Sequence, residues 1–298
     1  MGLNVWGVAH GQGTPVALGL SEGPVPTVLE LAAVGIPDAA AFFAKWQQDG
    51  PEGLADLMRQ HSARRQLGAE DLCFPFPVSD IWAAGVTYER SREAREEESE
   101  GFQALYTKVY DAERPELFYK HAGSRMAQPG EMMGIRSDAE WHVPEPELTV
   151  VLGPDGSILG FTVGNDLSSR DIEAANPLYL PQAKIFYKSA SLGPSVALAG
   201  TLDPKALEIR CEITRGDRVV FDGNTSTARM RRSVEELVGY AGVAMPLPPW
   251  TCLMTGTGIV PPDAFALAEG DVVSISISGI GTLRNPVRTI TPDWIRQG

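Results

Sequence analysis

The chain has 298 residues, 43% of them hydrophobic, and a formal net charge of −13 at pH 7. Its 25 Lys and Arg residues are dispersed, which argues against a nucleic acid or an anionic membrane surface as partner, so an anionic ligand would need local help. The length exceeds a typical single core and suggests one large domain with a smaller one attached.

No run approaches the roughly 20 apolar residues of a membrane span, and no basic-then-apolar leader opens the sequence. Trp6 occupies the Ser/Thr position of the myristoylation pattern, so that anchor is not expected. Cys73, Cys211 and Cys252 stand far apart, indicating neither a zinc site nor a disulfide framework. The expected compartment is the cytoplasm.

In chain order, β-like pieces at Leu3 to Ala9 and Pro15 to Gly19 precede helical patterns over Thr27 to Ala33, Asp38 to Gln47 and Gly53 to Gln60. The segment Cys73-Phe74-Pro75-Phe76-Pro77 reads as an extended connector into a strand over Asp80 to Val86. A boundary there gives a small N-terminal domain, 1–75, and a larger one, 76–298. A helical pattern follows over Glu89 to Leu105. Its run Arg92-Glu93-Ala94-Arg95-Glu96-Glu97-Glu98 mixes both signs at helical spacing, which favours a solvated face held by weak ion pairs over a mobile lid.

The β-rich stretch Leu148 to Leu152, the turn residues Gly153-Pro154-Asp155-Gly156 and the β-rich stretch Ser157 to Val163 predict a hairpin. Pairing Leu152 with Ser157 would set Glu147 opposite Thr162, Glu145 opposite Gly164 and Val143 opposite Asp166. Glu145, Glu147 and Asp166 then share one face. Alternate residues lie about 6–7 Å apart along a strand and neighbouring strands about 5 Å apart, so three carboxylates could converge and would repel unless a cation compensates. All-oxygen ligation points to Mg2+, with Mn2+ and Ca2+ as alternatives. The competing reading is an exposed edge strand in which Pro and Glu block aggregation.

Further β-rich runs lie at Leu207 to Ile213, Val219 to Phe221 and Asp271 to Ile277, with a turn at Arg215-Gly216-Asp217 and a helical pattern over Ser233 to Ala241. Strands outnumber helices beyond the boundary, giving an α+β class with an irregular β architecture.

From Ile81 to Val287 the sequence resembles the fumarylacetoacetate hydrolase family. The matching pieces include Gly85-Val86-Thr87-Tyr88, Pro115-Glu116-Leu117-Phe118-Tyr119-Lys120, Glu145-Pro146-Glu147-Leu148, Gly164-Asn165-Asp166-Leu167-Ser168-Ser169-Arg170-Asp171, Lys184, Leu192-Gly193-Pro194, Thr255-Gly256-Thr257-Gly258 and Ile280-Gly281-Thr282-Leu283. Within the family, Tyr110-Asp111-Ala112 with Arg114-Pro115-Glu116, and Asn176-Pro177-Leu178-Tyr179-Leu180-Pro181-Gln182 with Lys184, are similar to the sugar-acid dehydratases. The resemblance implies a mixed β-sandwich roll, a homo-oligomer (dimer or tetramer) and a small-molecule 2-oxo acid substrate. It also implies that Glu145, Glu147 and Asp166 hold Mg2+, that Lys184 reaches the substrate, and that Thr257 contacts a substrate carboxylate.

The family's hydrolases carry a His coupled to a Glu shortly after the position of Thr87-Tyr88; this chain reads Glu89-Arg90-Ser91 there. None of His10, His61, His121 and His142 falls at that point, although Glu89 or Glu93 could substitute. A hydro-lyase that dehydrates a 2-keto-3-deoxy sugar acid is therefore expected. The alternatives are a carbon–carbon hydrolase of acylpyruvates or diketo acids, and a non-catalytic sugar-acid or metal-binding protein. Dehydration needs a base for the C3 proton. Lys184, if charge and burial depress its pKa, and Glu116 are the catalytic candidates; the plainer reading of Glu116 is an ion pair with Arg114 or Lys120. Arg170 would pair with a ligand carboxylate or the substrate, or else brace Asp171 or Glu173. Tyr88 and Lys120 sit in matched motifs, Tyr88 as a further substrate contact, and either could be structural.

Overall fold

The computed structural model describes residues 2–9, 17–98 and 103–297. His10, Pro15 and the middle of the Glu89 to Leu105 pattern lie outside them.

The N-terminal strands β1 (Leu3–Val8), β2 (Ala17–Glu22) and β3 (Thr27–Glu30) form an antiparallel meander, joined by the short β4 (Arg65–Gln66) and β5 (Leu72–Cys73). The helix expected over Thr27 to Ala33 is thus half strand. Leu29 pairs with Leu20 across β2, Val28 and Leu29 are buried, and only Leu31–Val34 coils, as a 3-10 turn closed by Gly35 at φ +84°. The two helical patterns that follow form α1 (Ala39–Gln60), broken at Gly50 (φ 64°, ψ −171°), with Pro51 opening the second half.

Phe76 of the Pro-rich connector is buried and stacks on Trp250 at 4.8 Å. Beyond it come β6 (Asp80–Gly85), α2 (Glu89–Glu98), α3 (Gln103–Asp111), β7 (Glu116–Ala122), β8 (Met133–Ile135), β9 (His142–Val143), β10 (Pro146–Leu152), β11 (Ile158–Asp166) and β12 (Ser168–Ser169). The chain continues through α4 (Arg170–Ala175), α5 (Leu180–Lys184), β13 (Ala190–Leu192), β14 (Ser195–Leu198), β15 (Glu208–Arg215) and β16 (Arg218–Ser226). It closes with α6 (Val234–Gly242), β17 (Cys252–Met254), β18 (Asp271–Ile277), β19 (Gly281–Thr289) and α7 (Pro292–Gln297).

One large mixed sheet runs in the order β4-β3-β2-β1-β14-β11-β10-β17-β6-β7, and a second runs β16-β15-β18-β19-β8. They pack as a sandwich. Leu148, Val150, Leu152, Phe161 and Val163 of the first meet Ile209, Cys211, Ile213, Val273, Ile275 and Leu283 of the second in one core. Val151, Leu192 and Val196 turn instead toward Leu3, Val5, Leu20, Phe42 and Leu54. Because β10 is buried on both faces, it is a central strand; the exposed-edge reading does not hold.

Candidate active site

The β10–β11 hairpin sets the first half of the site, and its register differs from the expected one. Glu147 pairs with Gly164 and Leu148 with Val163, while Asp166 N donates to Glu145 O at 3.0 Å, so Asp166 stands across from Glu145 rather than Val143. Two local features produce the shift. The turn is one residue wider, with Gly153 N donating to Ser157 O at 2.8 Å and Leu152 paired with Ile158; a bulge follows, so that Val151 pairs with Gly160. The combined shift is two residues, and side chains alternate with period two, so the shared face survives. Glu145, Glu147 and Asp166 are all buried, with one oxygen of each within 4.8 Å of the others.

These carboxylates differ in their surroundings. Glu145 Oε2 accepts from Lys184 Nζ at 2.9 Å, and Oε1 meets Arg95 Nη2 at 2.8 Å and Arg170 Nη2 at 3.3 Å. Burial alone would raise its pKa, but Lys184 and Arg95 together draw it down to about 2. Glu147 is pushed well above the carboxylate range by burial, then by repulsion from Asp166 and Glu145. Its relief is the Gly256 N–H at 2.6 Å. Gly256 sits at φ +93°, where an added Cβ would lie 2.0 Å from Thr87 Oγ1, so no other residue keeps that amide in place. Asp166 Oδ1 lies 2.7 Å from Lys120 Nζ, and Lys120, fully buried, has its pKa lowered mainly by that burial, with Asp166 opposing. A buried all-oxygen donor set whose repulsion at Glu147 the Gly256 N–H and Lys184 only partly offset fits a hard divalent cation.

Beside the triad lies a narrow cleft with a free internal volume of only about 20 Å3. Glu116, Phe118, Glu145, Glu173, Lys184, Gly256 and Thr257 line it, along with Ser91 and Arg95 of α2, Tyr106 of α3 and Ala84, Gly85 and Val86 at the end of β6. Val86 adopts φ +52°, a left-handed conformation unusual for a β-branched residue and a mark of local strain at the site. Glu116, on β7 opposite Gly85, has its pKa raised to about 7, first by burial and next by Glu173, with Lys184 and Arg95 pulling the other way. Neither expected ion partner is on it: Arg114 lies over the Tyr240 ring and Lys120 on Asp166.

Lys184, at the end of α5, departs from expectation. Burial would lower its pKa, but Asp166, Glu145 and Glu173 outweigh burial and raise it. Its ammonium also donates to Ser168 Oγ at 2.7 Å. It is therefore held as a cation. The Thr257 hydroxyl closes a local turn, donating to Ile259 O and accepting from Ile259 N, both at 3.2 Å, on the cleft wall. Arg170 is buried one layer back, between Glu145 and Glu173 at 3.3 and 3.9 Å. Tyr88 is also buried, against a neighbouring groove with Glu89, Glu93, Thr225 and Gly258; its hydroxyl has no hydrogen-bond partner, and burial, then Glu147, raises its pKa. Glu89 and Glu93 therefore do not reach the cleft.

Among the described residues, no histidine lines the cleft. His121 lies between the carbonyls of Ala122 and Phe186, His142 accepts from Arg136 N at 3.1 Å, and His61 is exposed. Sequence reasoning passes over Arg95, because a mixed charge run normally reads as a solvated face; the structure buries it against Glu145 and Glu173, at 2.8 and 3.2 Å. The available signal was Ser91 four residues earlier, with Ala94 between, giving α2 one small and uncharged stripe.

Residues 80–288 match the family described as Fumarylacetoacetate (FAA) hydrolase C-terminal. The chain belongs to the fumarylacetoacetate hydrolase family. Within the family it is 50% identical over 217 residues to a probable 2-keto-3-deoxyxylonate dehydratase of Haloferax volcanii, covering 72% of this chain and 74% of the relative. It is 44% identical over 218 residues to the 2-dehydro-3-deoxy-D-arabinonate dehydratase of Saccharolobus solfataricus, covering 72% and 73%. Among solved structures, 2-keto-3-deoxy-D-arabinonate dehydratase complexed with magnesium and 2,5-dioxopentanoate superposes with a TM-score of 0.78 at 32% identity, covering 96% of this chain and 99% of that one. A hexagonal crystal form of 2-keto-3-deoxyarabinonate dehydratase gives 0.80 at 34% identity, covering 97% and 99%. The similarity thus extends through the N-terminal residues, which the family match does not include.

Proposed function

We propose that this family member is a Mg2+-dependent hydro-lyase that dehydrates a 2-keto-3-deoxy sugar acid, with 2-keto-3-deoxy-D-arabinonate giving 2,5-dioxopentanoate as the specific reaction. The observation that carries it is Glu116, a buried carboxyl with its pKa raised to about 7, in a cleft that Glu145 of the carboxylate triad also lines. The dehydratase relatives, one of them solved with magnesium and 2,5-dioxopentanoate, support the same reading.

Glu145, Glu147 and Asp166 would hold the Mg2+, for which Mn2+ and Ca2+ are alternatives. Bound there, the ion would polarise the 2-keto group and make the C3 proton more acidic. The carboxyl groups of Glu116, Glu145, Glu147, Asp166 and Glu173 outnumber the cationic side chains of Arg95, Lys120, Arg170 and Lys184 by one, so a divalent ion leaves the cleft suited to a monoanion. Lys184 meets the substrate carboxylate as a cation, Thr257 would turn its hydroxyl from Ile259 O to it, and Glu116 takes the C3 proton, whereas Arg170, behind Glu145 and Glu173, and Tyr88, in the neighbouring groove, do not line the cleft as substrate contacts.

Protonated Glu116 then returns a proton to the C4 hydroxyl, which leaves as water. Removal of a C5 proton and return of a proton to C3 move the double bond to C4–C5, and the resulting enol becomes the aldehyde. The net change is loss of one water.

A proton NMR time course on the sugar acid tests this. An aldehyde signal should grow with Mg2+ and be absent with EDTA; absence of metal-dependent aldehyde would overturn the reading. Carbon–carbon cleavage products would favour the hydrolase, and tight binding without turnover a non-catalytic protein.

We also infer a division at 75/76 with every site residue in 76–298. A cytoplasmic location is supported by the buried free thiols of Cys73, Cys211 and Cys252. Among the described residues, no helix is long and apolar enough to cross a membrane. A homo-oligomer, dimer or tetramer, is supported by exposed Leu178, Tyr179 and Ile185 around α5, and light scattering would measure it.

A further inference from the structure

The roles above leave the helical side of the cleft without a task. Ser91 and Arg95 reach it from successive turns of α2, Tyr106 from α3 and Glu173 from α4, so among the described residues every side chain that these three helices contribute is polar. Arg95 is fixed by Glu145 at 2.8 Å and Glu173 at 3.2 Å, and all three are buried. Ser91 Oγ donates to Tyr88 O at 2.8 Å, which commits its proton and leaves its oxygen lone pairs as acceptors.

An alkyl or acyl tail placed here would strip water from polar groups and return no hydrogen bond. A tail carrying hydroxyl groups returns them. We propose that Ser91, Arg95 and Tyr106 are specificity-determining residues that read the distal hydroxyl groups of a polyhydroxylated 2-oxo acid. This rests on the dehydratase reading for the direction in which the ligand lies, with its 2-oxo acid end at the carboxylate triad and its C4 and C5 hydroxyl groups toward α2 and α3. It adds the reason that end of the cleft selects a sugar acid: a site built around hydroxyl partners discriminates strongly against an analogue lacking them, whereas a smooth apolar wall does not.

The test is calorimetric binding with Mg2+ present, in a Glu116→Gln background that blocks turnover, of two probes: 2-keto-3-deoxy-D-arabinonate and 2-oxopentanoate, which lacks the distal hydroxyls. The hydroxylated acid should bind more tightly. Adding Ser91→Ala or Tyr106→Phe should cut that preference by about tenfold while leaving 2-oxopentanoate affinity within about twofold. Arg95→Met should remove the preference and also weaken both probes, because Arg95 braces Glu145. Equal loss of both probes in Ser91→Ala and Tyr106→Phe, or a preference unchanged in both, overturns the proposal. Failure of the reaction itself is read separately: a wild-type protein that forms no aldehyde yet keeps the hydroxyl preference retains this wall and loses the dehydratase chemistry.

Discussion

Glu116 and Glu147 both carry raised pKa values, for reasons that separate their behaviour. In Glu116 burial dominates, with Glu173 adding to it, and the value falls near 7. A base must be ionised to act, so kcat/KM should rise with pH through about 7. Glu116→Gln should lose roughly 10²–10⁴ in rate while Mg2+ affinity changes little; a variant that keeps its activity would remove Glu116 from the reaction. The same shift predicts a stability effect. A carboxyl whose folded pKa is raised contributes stability below its unfolded value, near 4.5, and loses it as pH climbs through about 7. Glu116→Gln in EDTA should therefore melt above wild type at pH 8, by on the order of 1–3 kcal/mol, and the gap should narrow at pH 5. In Glu147 burial is joined by repulsion from Asp166 and Glu145, so without a cation it holds its proton to a higher pH than a free carboxyl does. Mg2+ binding should therefore displace protons, seen as a calorimetric enthalpy that changes with buffer ionisation heat. Glu147→Gln should reduce that dependence, and a variant with the wild-type dependence would exclude Glu147 as the group that gives up the proton.

At the scale of elements, the site is assembled by a hairpin, a glycine turn and a helix, and these were unequally legible. The hairpin could be read because alternation and turn residues are local, and the family motif around Glu145, Glu147 and Asp166 added what register alone left open. The Gly256 turn was legible as a turn but not as a support for Glu147, since that depends on Thr87 packing beneath it. Gly256→Ala should weaken Mg2+ binding at least tenfold and lower Tm, both measurable by titration and calorimetry, because it strains φ and displaces the amide donor. Arg95 was illegible because whether a charge is solvated or buried is decided by how α2 docks, which no local pattern encodes. The Thr27 to Ala33 segment was misread for the converse reason: its apolar spacing suits a helix, while pairing of Leu29 with Leu20 makes it a strand.

At the scale of the molecule, the first 75 residues are structurally continuous with the rest. β1 pairs with β14, Val5 against Val196, and Leu3, Val5, Leu20 and Phe42 share a core with Val151, Leu192 and Val196. A chain beginning at residue 76 would leave the β14 edge and that apolar surface open, so it should aggregate, as sedimentation would show. The 298-residue chain should unfold in a single calorimetric transition. Two transitions would indicate that the 75/76 division is also a thermodynamic one.

The wider turn and the bulge between β10 and β11 each add one residue, and together they obey a parity rule. Turn-length variants around Pro154-Asp155-Gly156 should therefore switch metal binding on and off in alternation. Adding one residue rotates Asp166 away from Glu145, whereas adding two restores it, so loop length works here as a binary code for whether the protein can hold its cation.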